Sequence, residues 1–347
     1  MTAQAFHIGV LGGGSWGLTI AKLLAEKGHQ IIVWEYNTAF VNQLQLTGTN
    51  DLLLPGVQLP QSIVYTNAWD DIIRFRPDIL VLATPTQFVA GMLSALNHAL
   101  DAVASGGWSL DSLLAIVNLA KGIEEGSLRT ISQIIHEALP GFARDKILTL
   151  SGPSHAEEVT RKIPTTVVIA GGEEALLHKL QEVFSNEYFR VYSSTDQIGV
   201  EIGGAVKNII SIAAGILDGL GYGDNTKGAL LTRGIVEIQR LGIAMGAKAE
   251  TFLGLSGMGD LITTAISQHS RNRYVGFEIG KGKSLETIVS GMSMVAEGVA
   301  TTASVYSLAQ SLSVEMPIVN EVYEVLYNNK SPQLAIYELM TRDLKKE

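Results

Sequence analysis

The 347-residue sequence contains no cysteine, which removes disulfides, thiolate metal sites and cysteine nucleophiles together. Such a chain suits a reducing compartment. Positive charge is also in short supply: 25 Lys and Arg face 34 Asp and Glu, a formal charge of −9. A general nucleic-acid binder neutralises phosphates with clustered lysines and arginines, so that class is disfavoured, and any anionic ligand has to meet a local basic pocket. The opening stretch, MTAQAFHIGVLGGGSWG, has no basic segment ahead of its apolar run, and the run passes directly into glycines; a cytoplasmic protein without a signal peptide is expected. Uninterrupted apolar segments of bilayer-spanning length are missing too. The nearest, Ile198 to Leu220, is broken by Glu201, Lys207, Asp218 and several glycines, and reads as a buried helix of a soluble protein. Metal and serine-nucleophile chemistry find little support, because His155 and His269 stand far apart without ligand spacing and there is no nucleophile elbow.

What is present is the composition of a well-packed globular enzyme: 46% hydrophobic residues, 17% charged residues and 36 glycines. The length exceeds that at which one hydrophobic core stops growing, so two domains are expected. Phe6 to Leu11 reads as a strand, Leu18 to Lys27 as a helix closed by Gly28, and Gln30 to Trp34 as a second strand. Parallel strands require such a crossover helix. Further strands are expected at Asp78 to Ala83, Leu114 to Asn118, Ile147 to Leu150 and Thr165 to Ala170, each separated by helix-length segments. Residues 1–195 are therefore expected to form an α/β, Rossmann-like, doubly wound parallel sheet that binds a dinucleotide. Beyond it, Ile198 to Leu220, Leu230 to Met245, Arg273 to Gly280, Ser284 to Ser290 and Thr301 to Ser311 read as helices. Residues 196–347 are expected to form an all-α substrate domain, with the boundary in the polar stretch Ser193 to Ile198.

The segment Gly12-Gly13-Gly14-Ser15-Trp16-Gly17 fits G-x-G-x-x-G, a pattern that gains its force from lying between a predicted strand and a predicted helix. Gly12 can then make the tight turn, Gly14 can admit a pyrophosphate and Gly17 can let helix and strand pack closely. The helix N-terminus offers unpaired N–H groups to phosphates. Glu35 ends the second strand about 18 residues beyond Gly17, near the roughly 20-residue offset at which an acid meets the adenosine ribose. A carboxylate there accepts from two ribose hydroxyls and repels a 2′-phosphate, and neither Tyr36 nor Asn37 supplies an arginine for one. The alternative is an exposed acid at a strand end.

Four further segments have residue types suited to chemistry: Ser151-Gly152-Pro153-Ser154-His155-Ala156, Gly203-Gly204-Ala205-Val206-Lys207-Asn208, Gly257-Met258-Gly259-Asp260-Leu261 and Ser270-Arg271-Asn272-Arg273. Lys207 is the only basic residue between Ile198 and Leu220, and is either a snorkelling side chain or a buried amine of lowered pKa able to pass a proton to and from a ketone. Asp260, in a glycine turn, is either a helix cap or the carboxylate that holds such an amine, and one aspartate can do both. Ser270, Arg271 and Asn272 precede a helical stretch, so hydroxyl, guanidinium and amide can converge with helix N–H groups on a phosphate; the alternative is a capped helix. Lys121 follows a strand end, where a lysine is commonly just solvated. Asn208 can meet a substrate hydroxyl or bridge structure.

Together with GGGSWG and the Ala120 to Glu124 segment AKGIE, these motifs resemble the bacterial type of the NAD(P)-dependent glycerol-3-phosphate dehydrogenase family, in matching order across almost the whole chain. The resemblance implies reduction of dihydroxyacetone phosphate to sn-glycerol 3-phosphate, which supplies phospholipid synthesis. It implies that Lys207 is the proton donor and acceptor and that Asp260 lies in the substrate site. Lys121, Gly152, Ser154, Ser270, Arg271 and Asn272 are implied substrate contacts; Ser15, Trp16, Ala156, Val295 and Glu297, with Lys121 and Arg271 again, are implied cofactor contacts. NAD(H), NADP(H) or both are the expected cofactors, Glu35 favouring NAD(H), and no metal is expected. Two departures stand out. Many bacterial members have a basic or neutral residue where this chain has Glu35, and Thr49 to Pro55 carries leucines where small or aromatic residues are usual. A homodimer is expected from the apolar helical surface of the C-terminal half. The rival readings are a β-hydroxy-acid dehydrogenase of the same architecture, which has no need of a phosphate anchor, and a non-catalytic sensor of reduced nicotinamide.

Overall fold

The computed structural model describes residues 4–102, 108–292, 294–344 and 346. The chain divides into two compact units, Met1–Ala120 with Ile131–Gln197, and Lys121–Thr130 with Ile198–Glu347. This differs from a simple cut after residue 195. Lys121–Thr130 groups with the helical unit because Ile123 is fully buried in that unit's core and the Lys121 ammonium reaches Asp260.

The first unit is built on an eight-stranded sheet of order β3-β2-β1-β4-β5-β6-β7-β8. Its strands are β1 (His7–Leu11), β2 (Gln30–Trp34), β3 (Val64–Thr66), β4 (Ile79–Leu82), β5 (Ala115–Asn118), β6 (Ile147–Ser151), β7 (Thr165–Ala170) and β8 (Phe189–Ser194). The helices of this unit are α1 (Ser15–Glu26), α2 (Thr38–Thr47), α3 (Trp69–Phe75), α4 (Val89–Ala102), α5 (Ile131–Ala138), α6 (Ala156–Thr160) and α7 (Glu174–Phe184). Strand β4 shows why its residues run apolar without interruption. Ile79 and Val81 point into one core with α1, α2 and α7 residues such as Leu18, Leu44 and Leu177; Leu80 and Leu82 point into another with Ile72, Leu93 and Ile134. A strand covered on both faces has no polar side to present. β1 lies between β2 and β4, so the strand order reverses there, and the carboxyl end of β1 stands at the switch point where open α/β sheets bind ligands.

The sheet is parallel except between β6 and β7. The expected doubly wound parallel sheet is found but for this one pair: the β6–β7 connection carries only the five-residue α6 and enters β7 at the end of the sheet where β6 finished, without crossing back. Two strands escaped the sequence reading. β3 has three residues, and β8 is an edge strand whose arginine, tyrosine and serines alternate with buried Phe189 and Val191.

The second unit contains α8 (Gln197–Gly219), α9 (Asp224–Ala244), α10 (Asp260–Ile266), α11 (Arg271–Gly280), α12 (Leu285–Ser290), α13 (Glu297–Ser311), α14 (Pro317–Tyr327) and α15 (Pro332–Met340). Every residue of α8 from Gly199 to Leu217 is buried. By length and composition this helix could cross a membrane, but its whole apolar window is covered by protein, which is how a helix apolar on all sides behaves as a central core element. Two glycines let α11 lie against its backbone: a Cβ at Gly215 would come 2.0 Å from the Arg273 carbonyl oxygen, and one at Gly276 would come 1.9 Å from that of Ile212. Just beyond the crossing, Asp218 receives Arg273 Nη2 at 2.6 Å and the Lys227 ammonium. Elsewhere Glu237 of α9, pushed up to about 7 by burial, accepts from the Ile318 and Val319 N–H groups at the start of α14.

Because those glycine contacts are backbone to backbone, an added methyl forces the helices apart. Gly276→Ala is expected to cost about 1–3 kcal/mol or more of unfolding free energy, whereas Gly228→Ala, inside α9 with open space around it, is expected to gain roughly 0.5–1 kcal/mol. Urea denaturation of both variants checks the contrast.

Candidate active site

The nucleotide end is built by the turn from β1 into α1. Gly12 has φ +120°, and a Cβ there would come 2.8 Å from the Ala83 carbonyl carbon; a Cβ at Gly17 would meet the Gly12 carbonyl oxygen at 2.0 Å. Neither position tolerates a side chain. At Gly14, by contrast, a Cβ meets nothing within 4 Å, so the turn is open on the side where a ligand approaches. No side chain caps α1 at Gly14, and no acid lies in its first turn, which leaves the helix's positive end to an anion. Ser15 is buried, with its carbonyl accepting from Thr19 Oγ1, and the Trp16 ring lies 6.4 Å from that of Phe189. These features fit a dinucleotide pyrophosphate.

Glu35 is placed differently from an exposed ribose acceptor. It is 7% exposed, its Oε2 accepting from Gly13 N–H at 2.9 Å and its Oε1 from Asn37 N–H at 3.0 Å. The carboxylate is therefore a brace between the glycine turn and the end of β2. Tyr36, beside it, is 77% exposed. At the end of β6, Gly152 has φ +134°, Ser154 Oγ donates to the Gly152 carbonyl at 2.9 Å, and Ala156 opens α6.

The helical unit holds a second cluster, built around one buried carboxylate. Asp260, the first residue of α10 and 2% exposed, receives Lys207 Nζ on Oδ1 at 3.0 Å and Lys121 Nζ on Oδ2 at 2.8 Å. Thr264, one helical turn further, accepts from Lys207 Nζ at 2.6 Å and donates to Asp260 Oδ1 at 3.2 Å. Burial pulls Lys207 down to about 8; Asp260 opposes that fall, and the second ammonium, Lys121, adds to it. Burial alone would raise Asp260, but Lys121 and Lys207 outweigh it and hold the carboxyl below the usual range. Two ammonium groups share one carboxylate, with Glu297 a further acid facing Lys207, and one amine is poised to exchange a proton near neutral pH.

The Ser270-Arg271-Asn272 segment starts α11. Ser270 is its N-cap, its Oγ accepting from Arg273 N–H at 3.2 Å. Arg271 is exposed and donates from Nη1 to the Val295 carbonyl at 2.9 Å. Asn272 is 8% exposed, donating from Nδ2 to Asn208 Oδ1 at 2.9 Å and accepting from Gly298 N–H at 3.0 Å. Glu297 Oε2 lies 3.4 Å from Lys121 N, an N–H···O contact. Among the described residues no group of three or more His, Asp or Glu could hold a metal ion.

Models of the N-terminal and C-terminal parts of NAD-dependent glycerol-3-phosphate dehydrogenase match residues 7–177 and 196–337. The chain belongs to this family. A glycerol-3-phosphate dehydrogenase of the NAD(P)+ type from Chlorobium phaeobacteroides is 48% identical over 342 residues, covering 98% of each chain. One from Citrifermentans bemidjiense is 46% identical over 344 residues, 99% of each. The crystal structure of glycerol-3-phosphate dehydrogenase from Coxiella burnetii superposes with a TM-score of 0.89 at 32% identity, over 97% of this chain and 99% of that one. D-mandelate dehydrogenase, at 12% identity and a TM-score of 0.60, shares the fold alone.

Within the helical unit the structure thus brings together Lys121, Lys207 and Asp260, and places Ser270, Arg271, Asn272, Val295 and Glu297 on neighbouring segments. Thr264 was missed by sequence reasoning; its one signal was the four-residue spacing from Asp260. Lys207 charges less readily in the folded protein than in the unfolded chain, so its charge costs stability near neutral pH, a cost that vanishes as pH climbs to the ordinary lysine range. Removing the carboxylate enlarges that cost. Asp260→Asn is expected to lose roughly 3–5 kcal/mol of stability near pH 7 and markedly less near pH 10. A deficit in urea denaturation that does not shrink with pH contradicts this account.

Proposed function

We propose that the chain interconverts dihydroxyacetone phosphate and sn-glycerol 3-phosphate, with Lys207 as the proton donor in reduction and the acceptor in oxidation. The observation that carries this reading is the buried Lys207–Asp260–Lys121 cluster in a chain whose full-length relatives are named glycerol-3-phosphate dehydrogenases. The bound nicotinamide supplies hydride to the ketone carbon, or takes it from the alcohol. Lys207 in its ammonium form donates a hydrogen bond to the ketone oxygen and passes the proton as that oxygen becomes an alkoxide; in the reverse direction the neutral amine removes it. Asp260 and Thr264 fix the direction in which the amine points. Lys121 adds positive charge that suits a phosphorylated substrate in an otherwise acidic protein. Arg271, with Ser270 and Asn272 at the start of α11, is the phosphate anchor in this reading, a guanidinium fork beside a helix N-terminus.

Gly12, Gly14, Ser15, Trp16 and Gly17 would hold the dinucleotide, joined by Ala156. Glu35 favours NAD(H) because a carboxylate just past the end of β2 stands where this fold meets the adenosine ribose and repels a 2′-phosphate. We further read the protein as a cytoplasmic homodimer that supplies glycerol 3-phosphate for phospholipid synthesis. The apolar side chains left exposed on the helical unit, among them Leu253, Ile262 and Ile266, support association.

The proton role has a pH signature. Reduction needs the ammonium, so kcat for dihydroxyacetone phosphate is expected to fall as pH rises through about 8, while the oxidation rate rises through the same interval. Lys207→Ala is expected to lose roughly 10²–10⁴-fold in kcat. Nicotinamide absorbance followed with NADH and NADPH in parallel checks all of this. Preference for NADPH discards the reading of Glu35, and full activity in Lys207→Ala discards the proton donor.

A further inference from the structure

In the helical unit, Lys121 is held not only by its ammonium but by its backbone. Asn208 Nδ2 donates to the Lys121 carbonyl at 3.1 Å, Asn272 Nδ2 donates to Asn208 Oδ1 at 2.9 Å, and Gly298 N–H donates to Asn272 Oδ1 at 3.0 Å. Glu297, the residue before Gly298, accepts from Lys121 N–H at 3.4 Å and closes the ring. Both asparagines are buried, and Gly298 is the residue that fits: a Cβ there would lie 2.7 Å from Asn272 Oδ1. The ring has a fixed polarity. A carbonyl can only accept and a backbone N–H can only donate, so Lys121 dictates which way the Asn208 amide faces and Gly298 dictates Asn272. Turning either amide sets two acceptors and two donors against each other, each a buried unsatisfied pair.

We propose that Asn208 and Asn272 are positioning residues, a directional amide relay that fixes the Lys121 peptide and so holds its ammonium on Asp260. The relay explains why a lysine on a loop segment reaches the same carboxylate as Lys207: α8, α11 and the start of α13 each contribute one member, and none is adjacent in sequence to Lys121. The charged groups facing Lys207 are Asp260, Lys121 and Glu297. If Lys121 is no longer held, Asp260 serves Lys207 alone and the Lys207 ammonium becomes easier to keep. This inference rests on the reading of Lys207 as proton donor.

The test is Asn272→Leu, close in size and uncharged, in the full-length enzyme. At saturating dihydroxyacetone phosphate its kcat is expected to fall roughly 10- to 100-fold, with the midpoint of the pH profile moved upward by about one unit. A raised KM with wild-type kcat and an unmoved midpoint makes Asn272 a phosphate contact only and overturns the relay. The second variant is Asn272→Asp, which still accepts from Gly298 and so keeps the fold. Its carboxyl can donate to Asn208 only while protonated, so activity is expected at low pH and lost where the carboxyl ionises, although the wild type still turns over there. A profile that overlays the wild type overturns the proposal. Lys207→Ala run alongside separates the two claims: full activity in that variant sinks the proton donor, whereas its inactivity together with wild-type behaviour in both Asn272 variants sinks the relay alone.

Discussion

Two ammonium groups on one buried carboxylate is an arrangement that the rest of the helical unit has to be built around. Asp260 serves both Lys121 and Lys207, with Glu297 as the second acid facing Lys207, and this puts buried charge in a region where Lys207 and Asp260 are almost wholly out of water. Such a charge costs several kcal/mol unless each partner is held in place and hydrogen-bonded. Every nearby device serves that end. Thr264 accepts a hydrogen bond from Lys207, the amides of Asn208 and Asn272 fix the root of Lys121, and α8 is buried from Gly199 to Leu217 so that Lys207 cannot snorkel to solvent. A lysine in that position neither relaxes into an ordinary ion pair nor escapes its burial, and its proton affinity falls toward neutrality as a result.

Backbone contact sets the frame for this charge arrangement. Glycines at the crossing of α8 and α11 bring the two helices to touching distance, and the same two helices carry Lys207 with Asn208 and Arg271 with Asn272. In the sheet unit glycine does comparable work at the carboxyl end of β1, where Gly12 and Gly17 close the turn while Glu35 braces it through Gly13. In both units the segments that carry the charged groups are held by close backbone contacts, the preorganisation that lets a site stabilise charge without rearranging during reaction.

Much of this was legible in the sequence. Strands buried on both faces announce themselves as short apolar runs, so β2 and β7 were read residue for residue, whereas the three-residue β3 and the alternating edge strand β8 gave too little signal. Helices α14 and α15 were passed over although each opens with a proline at its start. Lys207 stood out as the one basic residue in an apolar run, and Asp260 by its glycine turn. What no spacing could reveal was how distant segments meet. Lys121 and Asp260 are joined across 139 positions, and Asn208 and Asn272 across 64. Glu35 adds to this: its offset from the glycine turn suggested a ribose contact, and no spacing showed that its carboxylate accepts from the Gly13 and Asn37 N–H groups.

The central claim is that burial and the second ammonium make Lys207 a group of near-neutral pKa, and it is tested most directly by following the lysine ε-carbon resonances through a pH titration, with Lys207→Arg used to assign the signal. The account predicts one lysine titrating near 8, far below the bulk of the lysines, and its loss in the variant. A Lys207 signal that titrates with the surface lysines, near 10.5, would contradict it.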